Sequence, residues 1–127
     1  MKKIMFLLNA ILILSGLFLS KAYSGEIEIF TSDIVCSEDD KIVVHYSLKS
    51  TYDFEYPNVT LGFKVVEDGK TIACKEIKVV VPENADGSEI KELVIDVPCD
   101  GKKLTLQSAV FYRIKRYKID EWFADCN

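Results

Sequence analysis

The chain has 127 residues, with 16 Lys and Arg against 20 Asp and Glu and a formal net charge of −4. That length bounds it to one domain with a modest core. The acidic balance argues against nucleic acid or an anionic membrane as the main partner.

Residues 1–24 read as a secretory signal. Lys2 and Lys3 precede the apolar run IMFLLNAILILSGLFL (4–19), which Asn9 and Gly16 interrupt. Ala22-Tyr23-Ser24 then offers small residues where a signal peptidase reads, which places the cut after Ser24. The competing reading is a retained anchor, but the run is short for a membrane span. No cysteine stands at the cut for lipid attachment. The mature domain is then 25–127. Removal of Lys2, Lys3 and Lys21 leaves 13 basic against 20 acidic residues, a net of −7. No membrane contact is expected after cleavage.

Alternation of apolar and polar residues governs the rest. EIEIF (26–30) opens a strand over 26–31, and KIVVHYSL (41–48) aligns Ile42, Val44, Tyr46 and Leu48 on one face of a strand over 41–49. NVTLGFKVVE (58–67) aligns Val59, Leu61, Phe63 and Val65; Asp68-Gly69 then marks a tight hairpin into a β-rich strand over 70–81. PENADGSE (82–89) is a polar loop before a strand over 90–97. Pro98-Cys99-Asp100-Gly101 turns into a strand over 103–114, and a last strand is expected over 117–123. Period two with β-branched and aromatic enrichment means strands half buried on a core. No mature segment carries helical periodicity over ten residues. The fold class is therefore all-β: a two-sheet antiparallel sandwich of the immunoglobulin or fibronectin III-like kind, with a small closed barrel as the alternative.

Residues 103–119 contain no Gly, Pro, Asn or Asp. Read literally, that is one strand of roughly 50 Å, longer than a small sandwich. Either the chain bends near Arg113–Lys118 without a usual turn residue, or the strand projects and pairs or exchanges with a second copy, giving a homodimer through 111–123.

Two stretches are candidate partner-binding surfaces. FYRIKRYKIDEWF (111–123) sets Arg113, Lys115, Arg116 and Lys118 among aromatics and isoleucines, with Tyr117 between them. It reads as an edge strand shielded from aggregation by its basic residues, or as a protein-binding surface, since Tyr, Trp and Arg dominate binding hot spots. TYDFEYP (51–57) alternates Tyr52, Phe54 and Tyr56 with acidic residues, either as a recognition loop at the end of the sandwich or as a cover for its core.

Cys36, Cys74, Cys99 and Cys126 form an even set in a small exported chain, which reads as two disulfides. No close pair of the C-x-x-C kind calls for a metal. All four cysteines fall toward one end of an alternating sandwich, so three pairings stay open. A hairpin between strands 70–81 and 90–97 would bring Cys74 near Cys99, and first and last strands side by side would bring Cys36 near Cys126. These two pairs are favoured. The sequence offers no active-site signature. His45, the only histidine, points away from the Val44 and Tyr46 face. Glu38-Asp39-Asp40 lacks the alternating ligands and glycine of a calcium loop. No cofactor is expected. Asn58-Val59-Thr60 matches a glycosylation sequon.

The MKK start, DKIVVHYSL (40–48), VVEDGKTIACKEI (65–77) and LTLQSAVFYRI (104–114) before Cys126 together resemble the interleukin-receptor-mimic protein A family, small exported bacterial proteins. That resemblance implies a fibronectin III-like sandwich and a secreted dimer that binds host cytokines. It carries over no site residue. Two functions follow as expectations: a secreted, non-enzymatic binding module for a host protein, or a periplasmic structural or assembly protein, such as a pilus-type subunit or an envelope inhibitor, with a partner from the same organism. The strand count, which looks complete, weighs against a subunit awaiting a donated strand.

Overall fold

The computed structural model describes residues 25–126, so the expected signal segment lies outside the described residues. Seven strands and one short helix follow in order: β1 (Ile27–Thr31), β2 (Val35–Cys36), β3 (Ile42–Ser50), β4 (Tyr56–Glu67), β5 (Lys70–Val81), β6 (Lys91–Ile95), β7 (Leu104–Phe111) and α1 (Arg116–Trp122). They form two antiparallel sheets packed face to face, the expected all-β sandwich.

β3 is the centre of the first sheet. Its residues Tyr46 to Ser50 pair with β1 and its residues Ile42 and Val43 with β2. Ile42 to Tyr46 also pair with β6. Residues with partners on both sides place β1 and β2 in succession along one edge and β6 along the other. The second sheet has the order β5-β4-β7. Alternation fixes which residues face inward. Ile42, Val44, Val59, Leu61, Phe63 and Val65 are wholly buried, and Tyr46 and Phe63 meet across the sheets with ring centroids 5.5 Å apart. The β4–β5 hairpin turns on Asp68 and Gly69, with φ of 51° and 77°. Two successive positive φ values are what a two-residue turn between twisted strands requires.

The expected last strand over 117–123 is not a strand. β7 ends at Phe111, and the chain bends at Arg113, whose φ of 56° lies in the left-handed region that non-glycine residues seldom enter. Of the two expectations for 103–119, the bend is the one observed, and no strand projects. Residues 112–126 form a strap that folds back over the outer face of β4. Ile119 is its buried anchor. Trp122 and Phe123 rest on Gly62, where an added Cβ would lie 2.6 Å from Trp122 Cζ3. A side chain at position 62 would therefore lift the helix off the sheet. Helical periodicity escaped the sequence reading because α1 is only two turns long, and its contact residues are spread between an alternating strand and a turn.

The described residues hold seven strands, as many as expected, with β2 (Val35–Cys36) present and a strand over 117–123 absent. The second sheet stops at β7, which pairs only with β4.

The disulfides join Cys36 to Cys99 and Cys74 to Cys126, not Cys74 to Cys99 and Cys36 to Cys126. Both premises of the favoured pairing fail. β5 and β6 belong to different sheets, so Cys74 does not stand opposite Val97. Cys126 arrives on the strap, over β5 and away from β2. Cys36 instead lies in register with Ile42, which pairs on its other side with Ile95. The turn after β6 then carries Cys99 beneath the start of β3. Asp40 secures that corner, accepting hydrogen bonds from the N–H groups of Cys99 and Asp100 at 2.8 and 2.7 Å. Those two donors hold its carboxyl below the usual range.

Candidate partner-binding surface

The two stretches singled out in the sequence meet at one end of the sandwich. The loop after β3 carries Tyr52 and Phe54, β4 begins with Tyr56, and Tyr112 and Arg113 follow β7. Tyr52 sits at the centre of the group. Its ring centroid lies 5.0 Å from Phe54, 5.2 Å from Tyr56 and 6.1 Å from Tyr112. Phe54 stacks on Tyr56 at 5.8 Å, and Tyr56 meets Tyr112 edge-on at 5.4 Å. Such tilted and edge-on pairs satisfy the ring quadrupoles and hold the group as one rigid block. The Arg113 guanidinium lies 5.6 Å above the Tyr52 ring, a cation–π contact at the surface.

Hydrogen bonds tie this block to β1 and to the loop after β5. Ile27 N–H donates to the Tyr112 hydroxyl at 3.1 Å, and Asn84 N–H donates to the Tyr52 carbonyl at 2.8 Å. Gly25 lies flat on Tyr52, with space for no Cβ. Burial pushes the Tyr52 phenol up.

The eight residues expected to meet a partner therefore divide by role. Tyr52 is buried and closes the core, as one reading of its loop anticipated. Phe54 is 47% exposed, Tyr56 is half-buried, and Arg113 and Lys115 are exposed. Tyr117 and Lys118 project from α1, with the Lys118 ammonium 5.7 Å from the Tyr117 ring centroid. Arg116 is already engaged. Its guanidinium forks onto Glu76 at 2.6 and 2.8 Å and donates from Nε to Asp120 at 2.9 Å. It locks α1 to β5, so it is a positioning residue of the strap. The pair holds the Glu76 carboxyl below its usual range.

Two residues of this surface were missed. Ile114, exposed at 44%, follows Arg113 along the chain. Tyr112, within the strand expected over 103–114, joins the loop to the strap. A shallow cavity of about 260 Å³ opens beside them, between Asn58, Lys78, Ile114 and Arg116. Asn58 itself is exposed while Thr60 of its sequon is buried. His45, on the far sheet, faces outward with Nε2 3.2 Å from Glu92.

The chain significantly matches no protein-family model, no curated protein and no solved structure. Two disulfides fit an oxidising compartment, outside the cell or in the periplasm. Among the described residues, no helix is long and apolar enough to cross a membrane.

Proposed function

We propose that this protein is an exported, non-enzymatic binding module that engages a protein partner through its aromatic end. The observation that carries this reading is the union of exposed Phe54 and Arg113 with half-buried Tyr56 into one patch on a fixed base of Tyr52 and Tyr112. Large side chains on a rigid support lose little entropy on binding, and aromatics with Arg are the residues that dominate hot spots. A host secreted protein of the cytokine class is the partner to try first, in keeping with the receptor-mimic resemblance.

The test uses purified, oxidised 25–127 against a panel of immobilised host cytokines and receptors, with mass read by light scattering. Saturable binding is expected. Phe54→Ala combined with Arg113→Asn should weaken it by roughly tenfold or more with the far-UV spectrum unchanged. Asparagine is chosen at 113 because it tolerates the left-handed backbone. Equal binding by the double variant would remove the aromatic end from the reading. No binding across the panel would overturn the host-protein partner and send the search to envelope proteins of the same organism.

A further inference from the structure

Among the described residues, four strands of five residues or more pair on one side only: β1, β5, β6 and β7. Three of them carry charge within the strand. β1 has Glu28, β5 has Lys70, Lys75, Glu76 and Lys78, and β6 has Lys91 and Glu92. Charge on an edge is how sheets are kept from adding further strands. β7, LTLQSAVF, has no charged residue and no proline across eight residues. Among the described residues no strand pairs with its outer edge, which β1 approaches from the facing sheet at the Tyr112 end, because the chain that would have continued beside it turns away at Arg113 and is held on the outer face of the sheet.

The floor beside this edge is apolar and incompletely covered. The inward residues of β4 are wholly buried, whereas Leu104, Leu106 and Val110 of β7 are only partly so. The sheets are drawn together at the Tyr112 end by the hydrogen bond to Ile27 and gape at the other. There a cavity of about 280 Å³ lies between β7 and the β1–β2 connection, lined by Ile34, Leu104 and Leu106 with Thr31, Ser32 and Asp33 at its rim. The flanks of the edge are basic: exposed Lys102 and Lys103 precede β7, and exposed Arg113 and Lys115 follow it.

We infer that the free edge of β7 accepts an extended segment of a protein partner, with alternate apolar residues over Leu104–Val110 and acidic residues at its ends. Main-chain hydrogen bonds to an edge supply affinity, and alternate side chains dropped into the groove supply specificity. The flanking charges select the occupant. A second copy pairing through the same edge, with Leu104 opposite Phe111, would set Lys102 opposite Arg113. Like charges at both ends oppose that arrangement, and acidic ends complement it. Asp33 lies on the β1 side of the groove and does not share this basic edge.

The experiment follows amide hydrogen exchange by NMR in isotope-labelled, oxidised 25–127 with the synthetic peptide Glu-Glu-Thr-Val-Thr-Val-Thr-Val-Thr-Glu-Glu. Alternate amides of 104–110 should gain protection while the edges of β1, β5 and β6 do not change. The same peptide with Lys at its four ends should bind at least about tenfold more weakly. Lys102→Glu with Lys103→Glu, on exposed positions, should shrink that preference. Phe54→Ala should leave peptide binding unchanged, which separates this site from the aromatic end. Equal affinity for the two peptides, protection at another edge, or no binding overturns the inference. So does protection of β7 that rises with protein concentration and a doubled mass in the absence of peptide, because the occupant would then be a second copy.

Discussion

Phe63 and Trp122 lie on opposite faces of β4, and their surroundings are built from different physics. On the inner face, Val59, Leu61, Phe63 and Val65 are wholly buried against the facing sheet. On the outer face, Gly62 seats Trp122 and Phe123. The Lys64 ammonium lies 2.8 Å from Asp125 and 4.2 Å from the Trp122 ring centroid, and the Arg116 fork and the Cys74–Cys126 bridge close the strap. Non-directional burial spread over many side chains holds the first face. A few specific contacts hold the second, each removable by one or two substitutions. The body should therefore unfold as a unit, while the strap should be separable from it.

Phe63→Ala is the largest blow to that contrast. Truncating a wholly buried ring costs about 3–5 kcal/mol, a large part of the stability of a domain this size. In urea, the far-UV signal of the sheets and the fluorescence of Trp122, the only tryptophan, should both shift to lower denaturant together. If the strap signal stayed at its original midpoint, the strap would not depend on the body.

Removing the disulfides one at a time sharpens the comparison. Each bridge is worth about 2–4 kcal/mol by restricting the unfolded chain, and the two closures span similar separations of 63 and 52 residues. Their consequences should differ. Cys36→Ala with Cys99→Ala loosens the corner under β3 and should lower both transitions. Cys74→Ala with Cys126→Ala should split them, with Trp122 released before the sheets melt. Coincident transitions in the second variant would show that strap and body are one cooperative unit.

Gly62→Ala should come next in size. A Cβ 2.6 Å from an indole carbon cannot be accommodated without moving the helix, and overpacking of this kind costs about 1–3 kcal/mol. The change should appear as a shifted Trp122 emission with the far-UV spectrum preserved. Wild-type emission from the variant would mean that Gly62 is not the seat of α1.

The same contrast explains what was legible in the sequence. The faces of β3 and β4 were, because period two is a property of consecutive residues and burial enforces it. So was the Asp68-Gly69 hairpin, whose backbone angles need those residue types. The strap was not. Its turn is made by Arg113, a residue that rarely adopts a positive φ, so no local signal marks the end of β7. Its helix is too short to display a period, and its anchors lie far away in sequence: Gly62, Lys64, Cys74 and Glu76. Half of the disulfide pairing failed for the same reason, since Cys36–Cys126 was deduced from a last strand that the strap replaces; Cys74–Cys99 was deduced from a β5–β6 hairpin, and those strands belong to different sheets. At the candidate surface, Phe54, Tyr56 and Arg113 were recognised separately by composition. Their union depended on the bend at Arg113, which only the tertiary structure supplies.

The smallest expected effect is one of pH. Asp125 has its carboxyl lowered to about 2, first by the hydrogen bond from the Lys64 ammonium and then by that from the Thr71 hydroxyl. Its ordinary value is 3.8. A group whose pKa falls on folding stabilises the folded form fully above its unfolded value, and loses that contribution as pH drops through the folded one. The Asp125 latch is therefore intact above about pH 4 and is lost as pH falls through about 2. Because Asp125 stands at the open side of the strap, with solvent screening it, the effect on the whole domain is small. The informative quantity is the difference between wild type and Asp125→Asn in the Trp122 transition. That difference should be constant from neutral pH down to about 4 and vanish as pH falls through about 2. Raised salt should shrink it at every pH, as it does for exposed ion pairs. A difference that persisted well below pH 2 would mean that the ionised carboxylate is not what holds the latch.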